Sequence, residues 1–436
     1  MIEKNYKVEN YLEEKEVILQ KSEFDENLMD ESKTDSSVIY YIKWEFIIKI
    51  FKYKNFILMT LILLLSLFYY IPMTELYSDY EKIKNFAKDN LEGKLYNSIS
   101  LFKKSENPLI SIVISTFNGE IYLKPAVRSI QNQDFFNLEI IIVDDGSVDN
   151  SVKVVEELMK EDPRIILIKN GINRGTLYTK TRGVLNAKGK YVMTLDHDNL
   201  YTYNNVFSTL YNESEKYNLD LLGFASVETT LDIRNSKKVI FYNYKNSQII
   251  KQPIIKTLFI AMNYRFHSST SLCLYFIKKE LYFKVIKQLG EEIINRNIDA
   301  HDDTIITFLL ARKALNLKHL KKIFYFILIW PKEYYSSLTL QRNVKKRERE
   351  KKNCYSYLTF AEVLILYTEN DKRDKKIAEF NFLRYFIRNE KCQNQTDIID
   401  DTIRISNLYL KDKYINLKAK EEISLFLNQQ NKYINS

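Results

Sequence analysis

Three short acidic clusters carry the residue types that could do chemistry in this 436-residue chain. Asp196-His197-Asp198 places two acids one residue apart, and their mutual repulsion calls for a cation or solvent between them. Hard oxygen donors with coordination positions left over for phosphate suit Mg²⁺ or Mn²⁺. Val143-Asp144-Asp145-Gly146-Ser147 sets acids beside a glycine, the chemistry that holds a base or ribose at a strand end, and also the chemistry of an ordinary turn or cap. His301-Asp302-Asp303 precedes the apolar run TIITFLLARKA, where adjacent acids fit the positive end of a helix dipole as well as they fit a general base. Each cluster alone is open to both readings.

The elements around these clusters decide how they are placed. LISIVIST (109–116), LEIIIVD (138–144), RIILIKN (164–170) and KYVMTLD (190–196) are short β-branched runs. Between them IYLKPAVRSIQNQ, SVKVVEELMKE and TLYTKTRGVLNAKG carry apolar residues at helical spacing, with Asn150 or Ser151 as a cap. Alternation of this kind predicts an α/β fold, Rossmann-like, with a mostly parallel sheet and helices on both faces. Ligands then gather at the carboxyl ends of the strands, where Asp145 and Asp196 fall.

Taken together, SIVISTFNGEIYLKPAVRSIQNQDFFNLEIIIVDDGSVDNS and NRGTLYTKTRGVLNAKGKYVMTLDHDN resemble a family 2 glycosyltransferase of the GT-A fold, from Pro108 to about Tyr201. A second, more divergent block, LCLYFIKKELYF followed by DAHDDTIITFLLARKA, is similar to the family's later segment, with Asp302 where the family usually has Glu. The resemblance implies that Thr116, Phe117, Asn118 and Asp145 contact the nucleoside of a nucleotide-sugar donor, and that Arg182 lies near the donor. It implies that Asp196 and Asp198 meet the donor ribose and the diphosphate-bound Mn²⁺ or Mg²⁺, with His301 or His267 available to the metal. Asp303, beside Asp302, matches the base that takes a proton from an acceptor hydroxyl in an inverting transfer. The Gln-x-x-Arg-Trp motif of processive members is absent, since Gln341-Arg342 has no tryptophan nearby. Transfer of one or a few sugars is therefore expected. Two other classes compete: a catalytically silent, membrane-tethered scaffold of the same fold, and a nucleotidyltransferase, which the missing Gly-rich phosphate loop disfavours.

Outside that block the chain divides by composition. Residues 1–54 are polar and charged, and predict a cytoplasmic tail. Residues 55–74 include the uncharged run FILMTLILLLSLFYYIPM, which as a helix reaches roughly 27 Å and predicts one transmembrane signal anchor. Lys49, Lys52 and Lys54 precede it, and Glu75, Asp79 and Glu81 follow it, so the N-terminus is expected in the cytoplasm and the rest in a lumen or outside the cell. Residues 75–107 read as a stem, 108–343 as the catalytic domain and 344–436 as a helical appendix. The formal charge of +9 is dispersed along the chain, and no aromatic-basic RNA-binding motif is present, so a nucleic-acid partner is not expected. Cys273, Cys354 and Cys392 lack the spacing of a zinc site or a disulfide framework, although one pair has the option of bridging in an oxidising lumen.

Overall fold

The computed structural model describes residues 85–230, 240–242, 248–252, 254, 271–298, 300–329, 346–368, 372–393 and 395–434. The expected tail and membrane span, His267 and Gln341-Arg342 lie outside these residues. Among the described residues no helix is long and apolar enough to cross a membrane.

The first half is built as its pattern predicts. Strands β1 (Ile110–Thr116), β2 (Leu138–Asp144), β3 (Ile165–Lys169) and β4 (Tyr191–Asp196) alternate with helices α1 (Glu120–Gln131), α2 (Ser151–Glu161) and α3 (Thr176–Leu185). They pair in parallel in the order β3-β2-β1-β4. β1 and β2 are buried along their whole lengths, so their isoleucines and valines face helices on both sides.

The second half departs from the expected mostly parallel sheet. It contains β5 (Leu200–Tyr201), α4 (Val206–Tyr217), β6 (Leu221–Thr230), β7 (Ile240–Tyr242), β8 (Ile250–Lys251), β9 (Tyr275–Lys278), α5 (Lys279–Ile294), α6 (Asp302–Lys313) and β10 (Asn316–Ile329). β9 runs antiparallel between β4 and β6, and β10 pairs parallel with β6 but antiparallel with β5 and β8. The sheet is mixed because the regular strand-helix alternation stops at β4.

Two expected appendages are parts of the same body. The described residues, from 85 to 434, fall within one compact unit. In the stretch expected as a stem, residues 85–91 are helical and Ala87 is buried. The Asn97 amide donates to the carbonyls of Gln131 and Gln133 at 2.7 and 2.8 Å, while Asn132 donates to the side chain of Asn90 at 2.8 Å. These asparagines satisfy the carbonyl end of α1, which holds the segment against it. Farther on, α7 (Lys346–Tyr367), α8 (Lys372–Phe382), α9 (Glu390–Gln393), α10 (Ile399–Lys411) and α11 (Leu417–Ile434) pack into the same core as the sheet, through Phe360, Leu364, Phe382 and Tyr409. Cys354 on α7 and Cys392 on α9 are joined by a disulfide, and Cys273 is free and buried.

Gly183 brings α3 onto the sheet. A Cβ there would lie 2.3 Å from Cγ1 of Val113 on β1, closer than any real contact. Replacing Gly183 with Ala is expected to push α3 outward and cost about 1–3 kcal/mol. An unfolding midpoint unchanged in urea would contradict that packing.

Candidate active site

Strand order places the acidic clusters on one edge. Thr116 pairs in register with Asp144, and Ser115 with Asp196, so the ends of β2, β1 and β4 present their last residues side by side. The turn after β4 bends back on the sheet, where Nδ1 of His197 lies 3.1 Å from the carbonyl of Ser115 and its ring packs 5.5 Å from Tyr122. This leaves Asp196 partly open and Asp198 buried. Burial raises the Asp198 carboxyl above the ordinary aspartate range, and the charge of Asp196 adds to it while His197 opposes it.

The second group of acids arrives from α6. His301 occupies the left-handed region at φ 61 and starts the helix, which puts Asp302 and Asp303 in its first turn. Both acids converge on one residue that sequence reasoning did not single out. The Lys180 ammonium on α3 lies 2.7 Å from Asp303, 3.0 Å from Asp302 and 3.4 Å from Asp196. Its side chain is only 6% exposed. Burial alone would lower the lysine, but the three carboxylates outweigh it and hold it well above its usual value. A signal for Lys180 is present in the sequence: it shares the apolar helical stripe of Leu177 and Val184, where a charge demands a partner.

Arg182 faces the other way. Two residues on from Lys180 it is turned by about 200° around the helix, away from the acids. Its guanidinium donates to the Lys169 carbonyl at 2.8 Å and to Asn170 Oδ1 at 2.6 Å. Asn170 in turn donates to Asp145 at 2.7 Å, so Arg182 braces the loop after β3.

Asp145 shapes the same loop from its other side. Its carboxylate accepts from Asn170 and from the backbone N–H groups of Arg174 and Gly175, at 2.9 and 3.0 Å, and is occupied in shaping that loop. Gly175 supplies the required positive φ of 87. Its neighbour Asp144 differs. One oxygen accepts from Gly146 and Ser147 N–H, and the other, Oδ1, is buried without a hydrogen-bond partner among the described residues. Thr116 Oγ1, on the residue paired with Asp144, is also buried without one. Phe117 and Asn118 form the turn beyond Thr116, and Asn118 anchors it by accepting from Val148 N–H at 3.0 Å while its own N–H donates to Ser147.

His301 is engaged elsewhere, with its ring stacked 4.4 Å from Tyr357 on α7. Among the described residues no group of three or more His, Cys, Asp or Glu side chains is arranged to hold a metal ion by itself. Asp196 and Asp198 nonetheless suit a hard divalent ion that shares its shell with water and phosphate, because Mg²⁺ is ordinarily held by one or two carboxylates plus substrate oxygens. The buried Asp198 charge fits that role, since a cation offsets its desolvation.

Burial pushes the Asp303 carboxyl up to about 7, with the charges of Asp302 and Asp196 adding to the rise while Lys180 opposes it. A carboxylate in that range is suited to accept a proton near neutrality.

The carboxyl ends of β1, β2 and β4, an acid pair suited to a divalent ion and a carboxylate raised toward neutrality thus meet at one edge of an α/β fold. Residues 111–273 match the family described as glycosyl transferase family 2, and this stretch is a family 2 glycosyltransferase domain. A β-1,3-glucosyltransferase of Campylobacter jejuni that acts on GalNAc(5)-diNAcBac-PP-undecaprenol is 41% identical over 92 residues, 21% of this chain and 30% of its own length. An uncharacterized glycosyltransferase of Methanocaldococcus jannaschii is 28% identical over 275 residues, 60% of this chain and 88% of its own length. The chain spans 30%, 36% and 38% of the lengths of three curated relatives that match the domain. Residues 1–349 of Staphylococcus aureus TarS, crystallised with UDP-GlcNAc, superpose with a TM-score of 0.52 at 15% identity, covering 75% of this chain and 92% of that one. That likeness shows the fold, which is of the GT-A type.

Two outcomes follow from the Lys180 cluster. Lys180→Met leaves three carboxylates without their cation and is expected to destabilise the protein by about 3–5 kcal/mol in urea unfolding; an unchanged midpoint would contradict the cluster. Any turnover that uses Asp303 as base should rise with pH through about 7, because only the ionised carboxylate accepts a proton. Asp302→Asn removes a like charge and should move that rise in kcat/KM to lower pH; no movement, or movement upward, would rule out Asp303 as the titrating group.

Proposed function

We propose that the chain transfers a sugar from a nucleotide-sugar donor to an acceptor hydroxyl on a glycan, lipid or protein-linked saccharide, with inversion and without processive extension. The observation that carries the reading is the meeting of Asp196, Asp302 and Asp303 around Lys180 at the edge that ends in Thr116 and Asp144. Thr116, Phe117, Asn118 and Asp145, at the edge where Thr116 pairs with Asp144, would contact the nucleoside. Asp196 and Asp198 would hold Mg²⁺ or Mn²⁺, which when bound supplies positive charge to the diphosphate leaving group. Asp303 takes the proton of the acceptor hydroxyl, a contribution of about a hundredfold to ten-thousandfold. Lys180 keeps Asp302 and Asp303 together and tempers the rise in Asp303, so the base is ionised for part of the time at neutral pH.

TarS binds UDP-GlcNAc in its crystal complex, which makes uridine diphosphate sugars the first donors to test. Single-sugar transfer is supported by the absence of a Gln-x-x-Arg-Trp motif from the sequence. The Cys354–Cys392 disulfide supports placing this unit in an oxidising compartment, which agrees with an anchor at residues 55–74 and a cytoplasmic N-terminus.

The test is release of nucleoside diphosphate from a panel of nucleotide sugars with Mn²⁺ present. The wild-type protein should release it from at least one donor, chelation should stop the reaction, and fresh Mn²⁺ should restore it. Asp198→Ala should lower turnover at least a hundredfold while the fold is kept. Full turnover by that variant would remove the metal pair from the mechanism.

A further inference from the structure

The C-terminal helices lie outside the matched family segment, yet one of them reaches the loop that delivers the acids. Residues 295–298 and 300–301 lie in the loop between α5 and α6. On one side this loop is tied to the turn shaped by Asp145. The N–H of Leu177 and the hydroxyl of Thr176 donate to the Ile298 carbonyl at 3.2 and 3.1 Å, and Arg174 donates to Asn295 at 2.9 Å. Contact there is so close that a Cβ on Gly175 would stand 2.7 Å from the Ile298 nitrogen.

On the other side the loop is tied to α7. The Arg296 guanidinium donates to Glu362 at 2.6 Å, and Glu362 also accepts from Arg404 on α10 through both carboxylate oxygens. The Glu362 side chain is 4% exposed. A carboxylate held that deeply is worth its desolvation only with both guanidiniums in place, and losing one partner leaves an uncompensated buried charge. The His301–Tyr357 stack and the edge-on Phe308–Phe360 contact lie on the same two helices, one at the start of α6 and one farther along it. Arg296 and His301 therefore bracket the loop, and both of their partners are on α7.

We propose that Glu362 is a positioning residue: through Arg296 it fixes the segment at Asn295–Ile298 between α7 and the Asp145 turn, and so sets where Asp302 and Asp303 stand. Function in the C-terminal helices is then mechanical rather than chemical. The assignment of a catalytic task to Asp303 rests on the glycosyl-transfer reading, whereas the mechanical coupling does not.

Hydrogen exchange on the full-length protein separates the two. Glu362→Gln keeps the shape but loses the charge. It should speed amide exchange at Leu177, Ile298, Thr304 and Ile305 by about tenfold or more, with the amides of β1, β2 and β4 unchanged. Glu362→Asp, which keeps the charge, should restore part of the protection. In donor turnover the Gln variant should lose about tenfold to a hundredfold in kcat with KM for the donor unchanged. If Glu362→Gln fails to fold, Arg296→Lys offers the same readout with the charge retained and the fork lost. Unchanged exchange at those four amides overturns the proposal, as does local loosening with kcat intact. If the wild-type protein turns over no donor but the amides respond to the substitution, the glycosyl-transfer reading falls and the coupling stands.

Discussion

A single buried ammonium holds the site together. Lys180 faces three carboxylates that come from two distant parts of the chain, Asp196 at the end of β4 and Asp302 and Asp303 at the start of α6. Without the lysine those acids would repel one another in a poorly solvated cleft, and without the acids the lysine would be an unpaired buried charge. Each side makes the other tolerable. This mutual dependence allows a carboxylate such as Asp303 to sit near neutrality in its ionisation without separating from its neighbours.

Much of the fold serves that contact. Gly183 lets α3 approach β1 closely enough to carry Lys180 to the strand edge, and His197 bends the end of β4 back toward Ser115. Asp145 organises the turn at 170–175, and that turn braces the loop leading to α6. From the opposite side α7 grips the same loop through Arg296. The acids are thus held by their backbone surroundings before any substrate arrives, the kind of preorganisation on which electrostatic catalysis depends.

The parts legible in the sequence are those fixed by local pattern. β1 to β4 and α1 to α3 follow from β-branched runs and helical spacing, and the acidic clusters fall at strand and helix ends as expected. What escaped depends on which way a side chain faces. Arg182 and Lys180 differ by two positions on one helix, and only the sheet beneath decides which of them points to the acids. Asp144 and Asp145 likewise alternate across a strand end, and which of them meets the backbone N–H of Gly175, 30 residues downstream of Asp145, is decided by the fold. The mixed second half of the sheet, and the docking of residues 85–102 and of the C-terminal helices, rest on long-range contacts that leave no periodic trace. Cys354 and Cys392 show the same limit, because their spacing is uninformative until α7 and α9 are brought side by side.

The central claim is that the Lys180 cluster and the Thr116–Asp144 edge form one donor site. A crystal structure of the protein with uridine diphosphate and Mn²⁺ tests it most directly. The account predicts the nucleoside along the Thr116–Asp144 edge beside Asp145, the ion between Asp196, Asp198 and the diphosphate, and Asp303 still paired with Lys180 beside the phosphate. A nucleotide bound away from that edge, or a Lys180 withdrawn from its three acids, would contradict it.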